Sequence, residues 1–273
     1  AEWLNASGKY KFRYRRVNPA GEIAYDTTAV RENGDINATR LEAGLYGTIE
    51  RGTWNAKVYN YNSERGIPGA IVNNVWRRGE RVWDTNSFFQ GSFVKEVNDQ
   101  FKTQVNAKYA FYRTHYVNND DKLIEVDNLY KQREVYVSTA NMYTIFPFWD
   151  VSMSYDFQWN EMKADMYGFV FPTRFTNLLS IATALRLGKV KLQGSGLATF
   201  VNDRVKEGPA PKARQILTPA VFLSYKPFDK HDFSLRAFYK KTFRMPTFND
   251  LYYADMGNSK LDPEYVTQYN LGT

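Results

Sequence analysis

Apolar and polar residues alternate with period two along much of the chain. Val151, Met153, Tyr155, Phe157 and Trp159 alternate with Ser152, Ser154, Asp156, Gln158 and Asn160. Successive strand side chains point to opposite faces, so this segment predicts a strand with one apolar and one polar face. The pattern recurs and predicts strands over Leu4–Val17 and around Leu41–Ile49. Further strands are predicted from Trp54 and over Phe89–Phe93, Val105–Phe111, Glu134–Thr144 and Val151–Trp159. The remainder are Leu179–Leu187, Val190–Ala198, Leu217–Tyr225 and Phe233–Tyr239, with a twelfth opening at Tyr269–Thr273. Short turns are expected at Arg51-Gly52, Asn98-Asp99, Pro147, Gly188-Lys189 and Phe228-Asp229-Lys230. They alternate with long polar loops: up to Gly34, Gly66–Arg81, around Asp120-Asp121-Lys122, Lys163–Pro172, around Pro209 and Pro211, and Arg244–Gln268.

An ordinary strand has about 5–6 residues. Longer strands, repeatedly apolar on one face, suit a transmembrane barrel with lipid outside and a polar interior. The predicted fold class is therefore all-β, an antiparallel transmembrane β-barrel. Such barrels place short turns in the periplasm and long loops outside. Trp54, Phe101, Phe146, Phe148, Trp149, Tyr225, Phe228 and Phe233 gather beside the short turns, where a periplasmic aromatic girdle is expected. A soluble all-β adhesin would show neither the strand length nor the alternation of turns and loops.

Composition agrees. No window approaches the roughly 18 consecutive apolar residues of a transmembrane helix. The mean hydropathy of −0.55 is compatible with strands that are half polar. Tyr, Phe and Trp number 20, 19 and 6, and aromatics favour strands and barrel girdles. The net charge of +7 is spread over loops and polar faces without a compact basic motif, so nucleic acid is not an expected partner. Zero Cys excludes disulfides and Cys-based zinc sites. Only His115 and His231 exist, and neither lies near a Ser nucleophile, so an enzyme is not expected. No phosphate-binding Gly loop or His cluster for a metal appears, and no cofactor is expected. Ala1-Glu2-Trp3-Leu4 is not a signal peptide and Tyr269–Thr273 reads as an opening strand. The chain is thus expected to be a slice of a larger barrel.

The segment Tyr239–Tyr253 contains Arg244-Met245-Pro246-Thr247-Phe248-Asn249-Asp250-Leu251-Tyr252. Gly257-Asn258, Leu261-Asp262-Pro263-Glu264 and Tyr269-Asn270-Leu271-Gly272 follow in order. This series resembles a signature of TonB-dependent outer-membrane receptors. Arg65-Gly66-Ile67-Pro68-Gly69 also looks like a loop of that family. The resemblance implies a 22-stranded barrel with an N-terminal plug, of which residues 1–273 would be part of the barrel, about 11–12 strands. It implies active import across the Gram-negative outer membrane, energised by TonB through an N-terminal box outside this sequence. Arg65, Gly66, Pro68, Gly69, Arg244, Pro246, Asn249 and Glu264 are expected to shape loops. Pro246 would end a strand ladder, and Arg244 would hold a carboxylate such as Glu264. A passive porin is the alternative without plug or signature.

The family carries ferric siderophores, haem, cobalamin, other chelates and some glycans. The loop Gly66–Arg81 looks most like that of the cobalamin-type receptors. Asn73, Asn74 and Trp76 would bond amides and stack on a flat ring, whereas Arg77, Arg78 and Arg81 would suit an anionic chelate. Tyr252 is a further candidate contact. For haem, His115 would be the axial ligand. Glycans would use Trp76, Tyr167, Tyr252 and Tyr253. Outer-membrane lipid, TonB, a small-molecule chelate and a possible surface lipoprotein lid are the partners implied.

Overall fold

A computed structural model of the chain describes residues 1–69, 79–119, 125–252 and 257–273. The strands are β1 (Glu2–Ala6), β2 (Lys11–Val17), β3 (Ile23–Val30), β4 (Ile36–Ile49), β5 (Gly52–Gly66), β6 (Arg81–Glu96), β7 (Phe101–Asn118) and β8 (Val126–Phe146). They continue as β9 (Trp149–Ala164), β10 (Thr173–Leu187), β11 (Val190–Arg204), β12 (Arg214–Tyr225), β13 (Leu235–Arg244) and β14 (Glu264–Gly272). One short helix, α1 (Phe248–Tyr252), lies in the β13–β14 connection. Among the described residues, twelve strands form one sheet in the order β1-β4-β5 and onward consecutively to β14. Every neighbouring pair is antiparallel, and the sheet is open between β1 and β14.

The expected strand Leu4–Val17 is two strands. β1 joins the main sheet, whereas β2 turns away and pairs with β3 as a separate hairpin. The break lies at Gly8, whose φ of +59° favours glycine. Its backbone crosses that of Gly34 so closely that a Cβ on Gly8 would overlap it. β3 occupies part of what sequence alone read as a polar loop. The β4–β5 turn is Glu50-Arg51, because Ile49 pairs with Gly52 and Arg51 takes φ 54°. The last short turn is wider than expected. It runs between Tyr225 and Leu235, and Phe233 packs within it against Phe228, ring centroids 6.2 Å apart.

Register gives the wall its two faces. Trp149, Leu185, Leu192, Leu223, Ala237 and Leu271 lie in one cross-strand row. Val58, Phe89, Tyr109, Val135, Trp159 and Phe175 form another. All face outward, where Leu45, Ile181, Leu217 and Leu271 are 68%, 56%, 65% and 86% exposed. An apolar surface this extensive demands a lipid or protein cover. Along β9 the apolar run from Trp149 to Trp159 matches the roughly 9–11 residues a tilted strand needs to cross a bilayer. No described helix is long and apolar enough to cross one.

Aromatic rings bound this belt at both ends. At the turn end, Phe146 stacks on Phe148 at 5.4 Å and lies 6.3 Å from Trp149. A bulge between Thr144 and Phe146 turns Phe146 to the outward face. The Trp149 indole N–H donates to Thr183 Oγ1 at 2.8 Å. At the loop end stand Tyr109, Phe111, Trp159, Phe175 and Phe200. Beyond them the strands continue but lose the apolar alternation. Hence β8 begins at Val126, whereas periodicity predicted a start near Glu134.

Trp54 lies directly opposite Gly47. A Cβ on Gly47 would overlap its indole. Gly47→Ala is expected to displace Trp54 from the girdle at a cost of about 1–3 kcal/mol. The control Gly196→Ala, whose Cβ would meet nothing within 4 Å, should be near neutral. Heat-modifiable gel migration of the full-length protein as a function of temperature measures both. An equal unfolding temperature for Gly47→Ala and the parent would contradict the packing.

Candidate ligand site at the loop end

The inward face is polar, and its pairings build a cleft where the strands rise past the belt. Lys108 donates to Glu134 at 2.9 Å and lies 5.7 Å from the Phe88 ring, which stacks on Tyr59 at 4.8 Å. Toward the loops a cleft of 1330 Å³ opens between Arg65, Asp84, Tyr112, Tyr130 and Met162 of the wall and Asn249 and Tyr252 of α1. Tyr167 also lines it.

Two arginine-centred assemblies shape this end. In the first, Arg174 of β10 and Asp203 of β11 are cross-strand partners joined through two hydrogen bonds of 2.7 Å. Their side chains are only 11% and 4% exposed. Arg174 also donates to the Pro246 carbonyl at 2.7 Å and lies over the Phe248 ring at 5.1 Å. The β13–β14 connection is thereby drawn inward, burying Pro246, Phe248 and Leu251. Thr247 and Asp250 cap α1. The Thr247 backbone N–H and hydroxyl donate to Asp250 Oδ2 at 2.8 and 2.9 Å, and the Asp250 N–H donates to Thr247 Oγ1 at 3.2 Å. These bonds, and more weakly Arg244, hold the Asp250 carboxyl below its ordinary range. The Tyr252 hydroxyl is buried with no hydrogen-bond partner among the described residues. Burial and then Asp203 push its pKa up to about 12. It therefore stays neutral.

The second assembly secures the Arg65–Gly69 segment. Asn33, in a left-handed conformation (φ 58°), donates to the carbonyls of Ile67 at 3.1 Å and Glu80 at 2.8 Å. Arg31 donates to the carbonyls of Pro68, at 2.8 Å, and Gly69. Gly66 has no room for a Cβ, which would stand 2.5 Å from the Asn33 carbonyl oxygen. Gly69 has φ +60°.

Arg65, Asn249 and Tyr252 therefore meet at one cleft. Arg65 lies 3.6 Å from Asp84. Arg81 does not point there. It opens β6 on the outward side and is held by Asp35 at 2.9 Å and Glu64 at 2.7 Å. Asn73, Asn74, Trp76, Arg77, Arg78 and Tyr253 lie outside the described residues. His115 is bonded to Asp127 at 2.6 Å and stacked on Trp83 at 5.2 Å, also on the outward side. The expected Arg244–Glu264 pair forms, long and exposed, at 3.9 Å. Pro246 lies just beyond the end of β13 at Arg244. Arg174 and Asp203 were not singled out from the sequence. An Arg and an Asp on adjacent strands carry no motif, and only register brings them together.

An antiparallel wall, apolar outward and polar inward, with ordered loops folded over one end, defines the β-barrel portion of a membrane receptor. The family model described as TonB dependent receptor-like, beta-barrel, matches residues 3–273, and the chain belongs to this family of outer-membrane receptors and transporters. No curated protein sequence matches it. Among solved structures, the copper transporter OprC superposes with a TM-score of 0.72 at 12% identity, covering 99% of this chain and 49% of OprC. The ferric citrate transporter FecA in unliganded form gives 0.66 at 13%, covering 98% and 44%. BauA, the ferric preacinetobactin receptor from Acinetobacter baumannii, gives 0.62 at 12%, covering 98% and 50%. The chain thus spans about half the length of these structures, and at such identities the likeness is one of fold.

Removing one partner of a buried ion pair costs about 3–5 kcal/mol. Asp203→Asn is expected to free the β13–β14 connection while the wall persists. Amide exchange at Leu251 and protease cleavage within 245–263 should rise at least tenfold in the full-length protein, with heat-modifiable migration retained. Unchanged exchange would show that Arg174 does not hold this segment.

Proposed function

We propose that the protein imports a scarce metal chelate across the outer membrane, driven by TonB, with cobalamin as the narrower reading. The observation that carries it is the 1330 Å³ cleft at the loop end of a barrel wall. Drug-sized pockets have volumes of about 300–1,000 Å³, so this one suits a bulky ligand. In this reading residues 1–273 are part of a 22-stranded barrel, and the plug and TonB-binding segment are contributed elsewhere in the full-length protein.

Arg65, Asn249 and Tyr252 line the cleft, Arg65 bringing charge, Asn249 an amide and Tyr252 an aromatic ring. Asn73, Asn74 and Trp76 would add amides and a stacking ring for a corrinoid, with Arg77 and Arg78 beside them. One observation favours an anionic ferric chelate as the second reading. Arg65 stands 3.6 Å from its only carboxylate partner among the described residues, with its side chain 51% exposed. The solved structures named for copper, ferric citrate and ferric preacinetobactin transport or reception lend support to a metal-linked cargo. A surface lipoprotein lid is compatible with this placement.

Calorimetry of the full-length protein in detergent against cyanocobalamin, haem, ferric citrate and a ferric siderophore panel tests the reading. The expected result is tight, nanomolar binding of cyanocobalamin, weakened at least tenfold by Trp76→Ala and by Tyr252→Ala. Binding of an anionic ferric chelate, lost on Arg65→Gln, would replace cobalamin by the second reading. Absence of binding across the panel would contradict chelate import.

A further inference from the structure

The β9–β10 connection, residues 165–172, is tied to the strands on either side of it. Toward β8, the Asp165 N–H donates to the Leu129 carbonyl at 3.3 Å, and the Leu129 N–H donates to Asp165 Oδ1 at 2.6 Å. The Tyr130 hydroxyl donates to Met166 Sδ at 3.0 Å. Toward the end of β11, the Lys206 N–H donates to the Val170 carbonyl at 2.9 Å, and Lys206 Nζ lies 5.2 Å from the centre of the Phe171 ring. The Met162 N–H donates to the Pro172 carbonyl at 3.0 Å. Phe169 and Pro172 are buried, and Phe169 meets Phe171 edge-on at 5.4 Å.

Phe171 takes φ 50°. A bulky side chain in the left-handed region is strained, and such strain persists only where the surrounding contacts over-determine it. Between these anchors the chain makes one tight turn. The Phe169 N–H donates to the Met166 carbonyl at 3.3 Å, with Tyr167 and Gly168 as the central residues. Gly168 has φ +72°, the conformation a type II turn requires of its second central residue. At the tip, Tyr167 is 106% exposed, more than any other large apolar side chain among the described residues. It nevertheless lines the 1330 Å³ cleft, together with Tyr112 and Tyr130 of the wall and Tyr252 of α1. The connection is thus anchored on both sides and strained at Phe171, while its tip holds a bare ring out over the cleft.

We propose that Tyr167 is a preorganised stacking platform for a ring of the cargo, so that the cleft selects ring-bearing chelates over ring-free ones. A tyrosine on a fixed turn has only two side-chain torsions left to order on binding, so its contact area comes at low entropic cost. Its flat face stacks on a planar macrocycle or on the aromatic arm of a chelator. Gly168 and Phe171 are positioning residues: one permits the turn, and the other fixes the turn against the end of β11. The proposal rests on the chelate-import reading and narrows the class of chelate. It holds for a neutral and for an anionic cargo, because stacking needs a ring and not a charge.

The test titrates the full-length protein in detergent with three ring-bearing probes, cyanocobalamin, haem and a ferric tris-catecholate, and with ring-free ferric citrate. The parent should bind at least one ring-bearing probe. Tyr167→Leu should weaken that binding roughly tenfold, whereas Tyr167→Phe, which keeps the ring, should stay within about twofold of the parent. Gly168→Ala keeps the ring but strains the turn and should weaken the same probe severalfold. Tyr10→Leu, an exposed tyrosine of the β2–β3 hairpin region, is the control and should bind as the parent does. Heat-modifiable migration reports whether each barrel forms; should Gly168→Ala not fold, the Leu and Phe variants at the exposed Tyr167 still decide. Equal affinity of Tyr167→Leu and the parent for a ring-bearing probe would overturn the platform while leaving chelate import standing. Binding of ferric citrate alone would overturn the ring requirement in the same way. Failure of the parent to bind any of the four would remove the chelate-import reading, and the platform with it.

Discussion

In lipid every backbone N–H and C=O must find its partner within the protein. This requirement governs the wall. Each strand from β5 to β13 is paired on both sides over much of its length, in one antiparallel order, whereas β4 meets β1 only over its first five residues. Once register is set, side-chain parity is set with it, because a slip of one residue would reverse every side chain. The single bulge in the main sheet, before Phe146, is where the chain changes parity to bring an aromatic ring outward. The outward belt, the two girdles and the polar interior are consequences of one register.

The loop end follows a different logic. Above the belt the apolar driving force for alternation ends, and arginines bonded to carbonyl oxygens organise the chain. Arg174 holds Pro246, and Arg31 holds Pro68 and Gly69. A guanidinium can satisfy several acceptors at once, and prolines leave carbonyls that a strand ladder no longer uses. Buried against the wall, these contacts make an ordered rim, and the cleft is the space between the rim and the wall. Tyr252 belongs to both, anchored by its helix and lining the cleft while its hydroxyl stays buried.

Much of the wall was legible in the sequence because lipid imposes period two on Val151–Trp159 and its counterparts. Turns with Gly188-Lys189 or Pro147 were legible for the same local reason. The lower half of β8 was legible and Val126–Arg133 was not, since outside the membrane both faces are polar. The break at Gly8 was hidden because Tyr10, Phe12 and Tyr14 keep the alternation while the chain changes sheet. The segment around Arg244–Glu264 was recognisable by its motif, yet the residues that hold it, Arg174 and Asp203, lie some 40 to 70 positions upstream. Their meeting is a property of register.

The most direct test of the account is which face of the wall meets lipid. Residues 1–273 hold no cysteine, so, with any cysteine elsewhere in the full-length protein replaced by serine, Leu179→Cys, Ser180→Cys, Ile181→Cys and Ala182→Cys can each carry one nitroxide label in a bilayer. The account predicts that labels at 179 and 181 collide preferentially with membrane-dissolved oxygen. Labels at 180 and 182 should be shielded from oxygen and favour an aqueous nickel reagent. Absence of alternation, or alternation of the opposite phase, would contradict it.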